Sequence, residues 1–222
     1  MLKTIRSKTV SLKTAKGRKI SSARWLQRQL NDPFVMQAKA DGYRSRAAYK
    51  LIEINEKFKI FKKGMKILDL GAAPGGWCQV VSKIIESSKT PNILAIDLLP
   101  IDPMPGVKTM IKDFYEEDAA EVIIDELGGK VDVVMSDMAA NTTGHAPTDH
   151  IRIMLLCEKA ASLSYEILKP DGVFIAKIFK GGTEGALLTE IKKRFSKVKH
   201  FKPESSRKES SEEYLVATGF KG

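Results

Sequence analysis

An α/β domain built on a doubly wound, mostly parallel seven-stranded sheet, with an antiparallel strand at its C-terminal end, is what the sequence predicts. Three observations carry it. The apolar run Ile67-Leu68-Asp69-Leu70 stops in a loop rich in glycine and alanine, Gly71 to Gly76, and apolar residues return with helical character from Gln79 through Ile85. Strand-like and helical runs then alternate downstream. The last two strand-like runs, Val198 to Phe201 and Glu213 to Phe220, follow each other with no helical pattern between them.

In chain order, residues 1–22 are basic, rich in Ser and Thr and poor in apolar periodicity, and read as a mobile arm. Ser22 to Ala40 reads as a short helix and a loop, with Trp25, Leu26, Leu30, Phe34 and Val35 as apolar anchors. Packing, rather than base stacking, is the expectation for Trp25 and Phe34. Ala47, Ala48, Leu51, Ile52 and Ile54 form a helical face with Arg44, Arg46 and Lys50 near its start, and Gly64 breaks the pattern before the first strand. After a helix from about Gly75 to Glu86, Ile93 to Asp97 is the second strand, Val107 to Ile111 a weak third and Val131 to Asp137 a strong fourth. A loop from Ala139 to Pro147 leads to an amphipathic helix from Asp149 to Leu168, stopped by Lys169-Pro170-Asp171-Gly172. Val173 to Phe179 is the fifth strand, and Ala186 to Phe195 a further helix. The division expected is a basic N-terminal arm with a short helix over 1–41, and one domain over 42–222.

Charge narrows the partners. The formal net charge is +10, and residues 1–46 alone hold twelve Lys or Arg against two acids, Asp32 and Asp41. The remaining chain balances at twenty-five of each sign, so the whole excess sits in one segment. A concentrated basic segment suits a polyanion, most naturally nucleic acid. A solvated tail or a transit peptide would share this composition. No apolar run reaches the length of a membrane span, and the first residues lack the apolar core of a secretory signal. The two cysteines, Cys78 and Cys157, suggest no disulfide framework, which fits a reducing, cytoplasmic setting. His145 and His150 lie beside Pro147 as loop residues, and no Cys/His cluster has metal-ligand spacing, so no metal is expected.

A strand, a glycine turn and a helix present a nucleotide-like cofactor at the carboxyl edge of such a sheet, although a tight βα turn wants the same glycines on steric grounds. The loop Gly71-Ala72-Ala73-Pro74-Gly75-Gly76 departs from the dinucleotide pattern G-x-G-x-x-G, and Pro74 removes an N–H that a pyrophosphate would use. A nicotinamide dehydrogenase is disfavoured on that account, and no Gly-Lys-Ser/Thr marks a phosphate loop. S-adenosylmethionine carries a sulfonium and no phosphate, so acids around the loop suit it better. Asp69, Asp97 and Asp113 fall at strand ends where they could share that work or simply start turns. Asp97, twenty-one residues beyond Gly76, is placed to accept from ribose hydroxyls. Lys177 interrupts an apolar strand, where burial alone would lower its pKa. It is an ion-paired structural lysine, a poised base, or a strand-edge side chain reaching water.

Several longer motifs occur in order: Gly42-Tyr-Arg-Ser-Arg-Ala-Ala-Tyr-Lys-Leu51, Asp69-Leu-Gly-Ala-Ala-Pro-Gly-Gly-Trp77, Ser136-Asp137-Met138-Ala139, Lys177-Ile-Phe, Ser205-Ser206-Arg207 and Tyr214-Leu-Val-Ala-Thr-Gly219. Together they resemble the FtsJ/RrmJ family of S-adenosylmethionine-dependent ribose 2′-O-methyltransferases, from about Arg24 to Gly219. The resemblance implies the sheet of that methyltransferase class and a catalytic Lys-Asp-Lys-Glu tetrad on Lys50, Asp137, Lys177 and Glu212, with Glu213 as the neighbouring alternative for the last position. It also implies cofactor contacts at Gly75, Trp77, Asp97, Asp113 and Asp137. The implied substrate is a uridine of large-subunit ribosomal RNA, in the A loop of the assembled subunit, and the implied enzyme is a monomer. Ala140 stands where bacterial members commonly have Pro, and the basic arm is longer. Residues 1–46 with Arg44, Arg46, Lys180 and Arg207 are the expected RNA-facing surface. A ribose 2′-OH is a poor nucleophile near neutral pH, so a positioned base should take its proton. Lys177, neutralised by burial and by Lys50, could be that base. The nearby carboxylates oppose that neutralisation, and the sequence leaves open which influence wins. Lys50 could instead hold the 2′-oxygen and stabilise its developing charge. The rivals are a transfer-RNA or cap 2′-O-methyltransferase and a ribosome assembly factor without catalysis.

Overall fold

The structure is a computed structural model, and it describes residues 10–11, 20–87, 91–140, 143–180 and 185–222. The arm expected over 1–22 therefore lies almost wholly outside the described residues, as do the side chains of Arg24 and Trp25. Three helices come first, α1 (Ile20–Leu30), α2 (Pro33–Ala40) and α3 (Ala47–Phe58). There follow β1 (Ile67–Leu70), α4 (Gly76–Ile85), β2 (Ile93–Asp97), β3 (Val107–Ile111), α5 (Ala119–Leu127) and β4 (Val131–Ser136). The chain closes with α6 (Ala146–Ile167), β5 (Leu168–Phe179), α7 (Gly185–Arg194), β6 (Phe195–Phe201) and β7 (Glu212–Phe220).

The seven strands form one sheet in the order β3-β2-β1-β4-β5-β7-β6. All neighbours run parallel except where β7 slots antiparallel between β5 and β6. The order reverses at β1, where the chain passes first to β2 and β3 and then returns to β4, so the loops after β1 and β4 open a crevice at the carboxyl edge.

Side-chain parity divides the core into two layers. Leu68, Leu94, Val134, Phe174 and Leu215 face one side, under Ile123 of α5 and Cys157 and Ala160 of α6. Ile67, Ile93, Val133, Ile175 and Val216 face the other, under Leu51 and Ile54 of α3 and Val80 and Val81 of α4. These central strands are covered on both faces, which is why they read as continuous apolar runs rather than as alternations.

Four elements differ from expectation. The stretch read as a loop before Ala40 contains α2, because Asp32 caps it by accepting from the Phe34 N–H at 3.0 Å and Pro33 supplies a preset first-turn φ. Helix α5 is absent from the sequence reading, although Ala119, Ile123 and Leu127 recur at four-residue spacing and are buried. Helix α6 starts at Ala146 rather than Asp149, whose carboxylate folds back onto the N–H groups of Thr143 and Gly144. Strand β5 begins at Leu168, ahead of the Lys169–Gly172 stop. Leu168 pairs with Val131, the register shifts, and pairing resumes at Val133 with Val173.

The turn after β1 depends on one glycine. Gly71 has φ 69°, and a Cβ there would stand 2.3 Å from Met138 Cγ. Gly71→Ala should therefore cost about 1–3 kcal/mol of stability from the left-handed backbone alone, more if Met138 cannot move. Urea denaturation of both proteins checks it.

Candidate active site

Four ionisable side chains meet where β4, β5 and β7 pass beneath α3. Lys177 is on β5, on the same face as Ile175, and is directly paired in register with Tyr214 of β7. Two residues earlier on β7, Glu212 presents its carboxylate on that face. Helix α3 lies above and lowers Lys50, and Asp137 follows the last residue of β4.

Lys177 Nζ is 2.7 Å from Asp137 Oδ1 and 3.6 Å from Glu212 Oε2, and it donates to the Asp137 carbonyl at 2.9 Å. Lys50 Nζ is 2.7 Å from Glu212 Oε1 and 3.8 Å from Asp137 Oδ1. The Tyr214 hydroxyl donates to Asp137 Oδ1. The tetrad expected from sequence is thus brought together, and Glu212 rather than Glu213 supplies its last carboxylate. Glu213 points to the opposite face, toward Lys180 at 3.9 Å and His200 at 3.6 Å.

Lys177 is 7% exposed, which removes the reading of a lysine reaching water. Burial drives its pKa down, but Asp137 and Glu212 more than reverse this, and the ammonium is held above the ordinary lysine value. The sequence leaves open whether burial or the carboxylates decide the charge on Lys177, and here the two carboxylates outweigh burial. Burial likewise opposes ionisation of Asp137 and Glu212, and the two ammonium groups bring both below the usual carboxylate range.

On one side of the tetrad a cavity of about 730 Å³ opens over the carboxyl ends of β1, β2 and β4. Asp97, Asp113 and Asp137 line it, with Gly71, Leu98, Leu99, Phe114, Met138 and Leu155 among its apolar walls. Asp97 both starts a turn and faces the cavity. Its Oδ2 accepts from the Ala73 N–H and its Oδ1 from the Leu99 N–H, each at 2.9 Å, which ties the glycine loop to the end of β2. Asp113 accepts from the Tyr115 N–H at 3.0 Å. Lys112 also lines the wall, with its ammonium turned to Glu116 and Asp118.

Three carboxylates against two cations, Lys112 and Arg152, beside apolar walls leave the lining net acidic and disfavour a diphosphate. They suit a ligand with ribose hydroxyls, a flat base and a positive charge, and S-adenosylmethionine has all three. Two expected contact residues stand apart from this lining. Trp77 is 3% exposed, donates its indole N–H to the Ala47 carbonyl at 2.8 Å and packs on Tyr214. Gly75 has φ 103°, and a Cβ there would meet Met104 at 2.5 Å and Arg44 at 3.0 Å. Asp69 is likewise out of reach: burial pushes its pKa up to about 8, and the Cys78 thiol donates to it at 3.0 Å.

On the other side of the tetrad lies a smaller cavity of about 380 Å³, lined by Arg28, Arg46, Lys50, Arg207, Glu209 and Glu212, among others. Arg28 comes from α1, which the sequence reading had treated as part of an appendage. Two arginines assigned to an RNA-facing surface have structural employment. Arg44 donates to the carbonyls of Pro74, Asp102 and Pro103, pinning two loops together. Arg46 pairs with Asp32, donates to the Ser205 carbonyl and lies 5.5 Å over the Phe34 ring. Arg207 lies 3.4 Å from the same Asp32, and Lys180 is exposed. Among the described residues no group of His, Cys, Asp and Glu is arranged to hold a metal ion. No described helix is long and apolar enough to cross a membrane.

Comparison with known proteins agrees with this geometry. The family model described as FtsJ-like methyltransferase matches residues 43–220. A ribosomal RNA large subunit methyltransferase E from Rickettsia bellii is 59% identical over 215 residues, covering 96% of this chain and 95% of that protein. The protein of the same name from Rickettsia akari is 60% identical over the same shares. Among solved structures, a ribosomal RNA methyltransferase from Plasmodium falciparum superposes with a TM-score of 0.67 at 31% identity, covering 81% of this chain and 100% of that one. The sheet order, the four side chains converging beneath α3 and these similarities lead to one assignment: the chain belongs to the FtsJ-like methyltransferase family.

Proposed function

We propose that this protein methylates a ribose 2′-OH of large-subunit ribosomal RNA, with S-adenosylmethionine as methyl donor. The observation that carries this reading is the position of the tetrad between two cavities of opposite character, one acidic and apolar, the other lined by arginines. Asp137 lines the first and Lys50 and Glu212 line the second, so a donor in one and a phosphodiester-flanked ribose in the other would meet at the tetrad. The names of the Rickettsia relatives support ribosomal RNA of the large subunit as the substrate. The target that the family resemblance implies is a uridine of the A loop in the assembled subunit.

Asp97 and Asp113 would hold the donor's ribose and adenosine portions, with Leu98, Leu99, Phe114 and Leu155 against the base. Asp137 would face its charged end, and Gly75 and Trp77 would hold the loop in shape. When bound, S-adenosylmethionine supplies an electrophilic methyl group on a sulfonium. Lys50, paired with Glu212, offers a positive charge to the 2′-oxygen as its negative charge develops. Lys177 Nζ receives the 2′-OH proton when it is itself neutral. Asp137 and Glu212 keep both ammonium groups in place and so set the alignment on which transfer depends. Arg28 and Arg207 would hold the flanking phosphates, which positions the RNA without reading its bases.

Three measurements follow from this. Labelled S-adenosylmethionine is incubated with ribosomal subunits from cells lacking the protein, using wild type and Lys177→Ala, and the product nucleoside is identified by mass spectrometry. 2′-O-methyluridine from wild type alone is the expected result. Transfer only to transfer RNA or capped RNA would replace the substrate, and ordinary turnover by Lys177→Ala would remove that lysine from the mechanism.

The raised pKa of Lys177 means that its neutral form is scarce near pH 7 and grows with pH. Single-turnover rates should therefore climb by up to about tenfold per unit between roughly pH 6 and 9. A plateau beginning near pH 7 would exclude Lys177 as the proton acceptor. Asp97→Ala should weaken S-adenosylmethionine by about tenfold or more, read by calorimetry, and unchanged affinity would refute its contact.

A further inference from the structure

The segment between β6 and β7 (residues 202–211) has no regular element, yet Ser205 and Ser206 within it are 0% and 5% exposed. The Ser206 hydroxyl donates to Glu212 Oε1 at 2.8 Å, and this is the same oxygen that meets Lys50 at 2.7 Å. The other oxygen, Oε2, is left to face Lys177. A glutamate carboxylate turns broadly about its last torsion. Two donors on Oε1 decide which oxygen each lysine receives.

The donor is itself clamped. The Ser206 N–H bonds to the Pro203 carbonyl at 3.0 Å, closing a turn. The Glu53 carboxylate accepts from the N–H groups of Glu204 and Ser205, the latter at 3.0 Å, and Arg46 donates to the Ser205 carbonyl. Glu53 lies three residues beyond Lys50 on α3, so the two share one face of that helix. That face thus places Lys50 directly and, through the loop, fixes the hydroxyl that orients the partner of Lys50. A buried hydroxyl with no such acceptor would be a net cost, whereas alanine would fill the same turn without one.

We infer that Ser206 is a positioning residue for the Lys50–Glu212 pair, with Glu53 as the clamp that holds its loop in place. The inference rests on the methyl-transfer reading of the tetrad. It adds a residue whose part in the reaction is to fix the rotation of one carboxylate.

The test uses the full chain with ribosomal subunits and compares wild type, Ser206→Ala, Ser206→Thr and Glu53→Gln, with Lys177→Ala as the reference. Ser206→Ala should lower kcat by about tenfold, as expected for a lost hydrogen bond to a charged group. KM for subunits and affinity for S-adenosylmethionine should stay within about twofold, because only alignment at the reacting atoms is lost. Ser206→Thr keeps a hydroxyl and should restore the rate, while Glu53→Gln should reproduce the Ser206→Ala pattern in weaker form. Wild-type kcat in Ser206→Ala, beside an inactive Lys177→Ala, would overturn the inference alone. So would a fall in activity that tracks a fall in thermal midpoint and is not rescued by Thr. An active Lys177→Ala would instead bring down the reading beneath it.

Discussion

Two ammonium groups and two carboxylates share one mostly water-excluded site, and each has an opposite charge against it. Burial works against the charge on Lys177, Asp137 and Glu212 alike. Their mutual contacts at 2.7 to 3.8 Å reverse that in every case. Removing one partner from such a set in general costs about 3–5 kcal/mol, because a buried charge is left uncompensated. The tetrad therefore links β4, β5, β7 and α3 through charges that cannot be removed singly without cost, and a candidate functional site becomes a structural constraint.

The same balance sets the chemistry available. A lysine in an apolar strand reads as a candidate for a lowered pKa, and desolvation alone would produce one. The neighbouring carboxylates carry the shift the other way, so the resting protein stores the ammonium and releases its proton only against that attraction. Such an arrangement makes the neutral amine scarce and favours placement and charge stabilisation, which the proposed transfer from a sulfonium to an alcohol oxygen needs.

Charge at the N-terminal end acts at two levels. Asp32 caps α2 and also receives Arg46 and Arg207, joining the first helices to the segment after β6. Arg28 of α1 then forms part of the wall beside Lys50. The helices that precede the matched region of 43–220 therefore contribute to the same site as the strands within it. Arginines that count toward a basic surface in composition can be consumed internally, as Arg44 and Arg46 are.

The sheet was legible from sequence because its central strands are apolar on both faces and its turns are marked by glycine, and local pattern alone decides both features. The tetrad was legible only through the family resemblance, whose motifs hold or adjoin Lys50, Asp137, Lys177 and Glu212. Other features depend on contacts between residues far apart in the chain. Parity and pairing with β5 select Glu212 over Glu213, since adjacent strand residues face opposite ways. The charge on Lys177 is decided by residues forty and thirty-five positions away, whose distances no local pattern encodes. Trp77 and Gly75 enter as cofactor contacts only through the family resemblance, and only the fold sets the Trp77 indole against Tyr214 and the Ala47 carbonyl. Ser206, half of an unremarkable Ser-Ser pair, acquires its acceptor only when the segment after β6 folds back beneath α3. Periodicity specifies which elements form, and the register between them determines which charges meet.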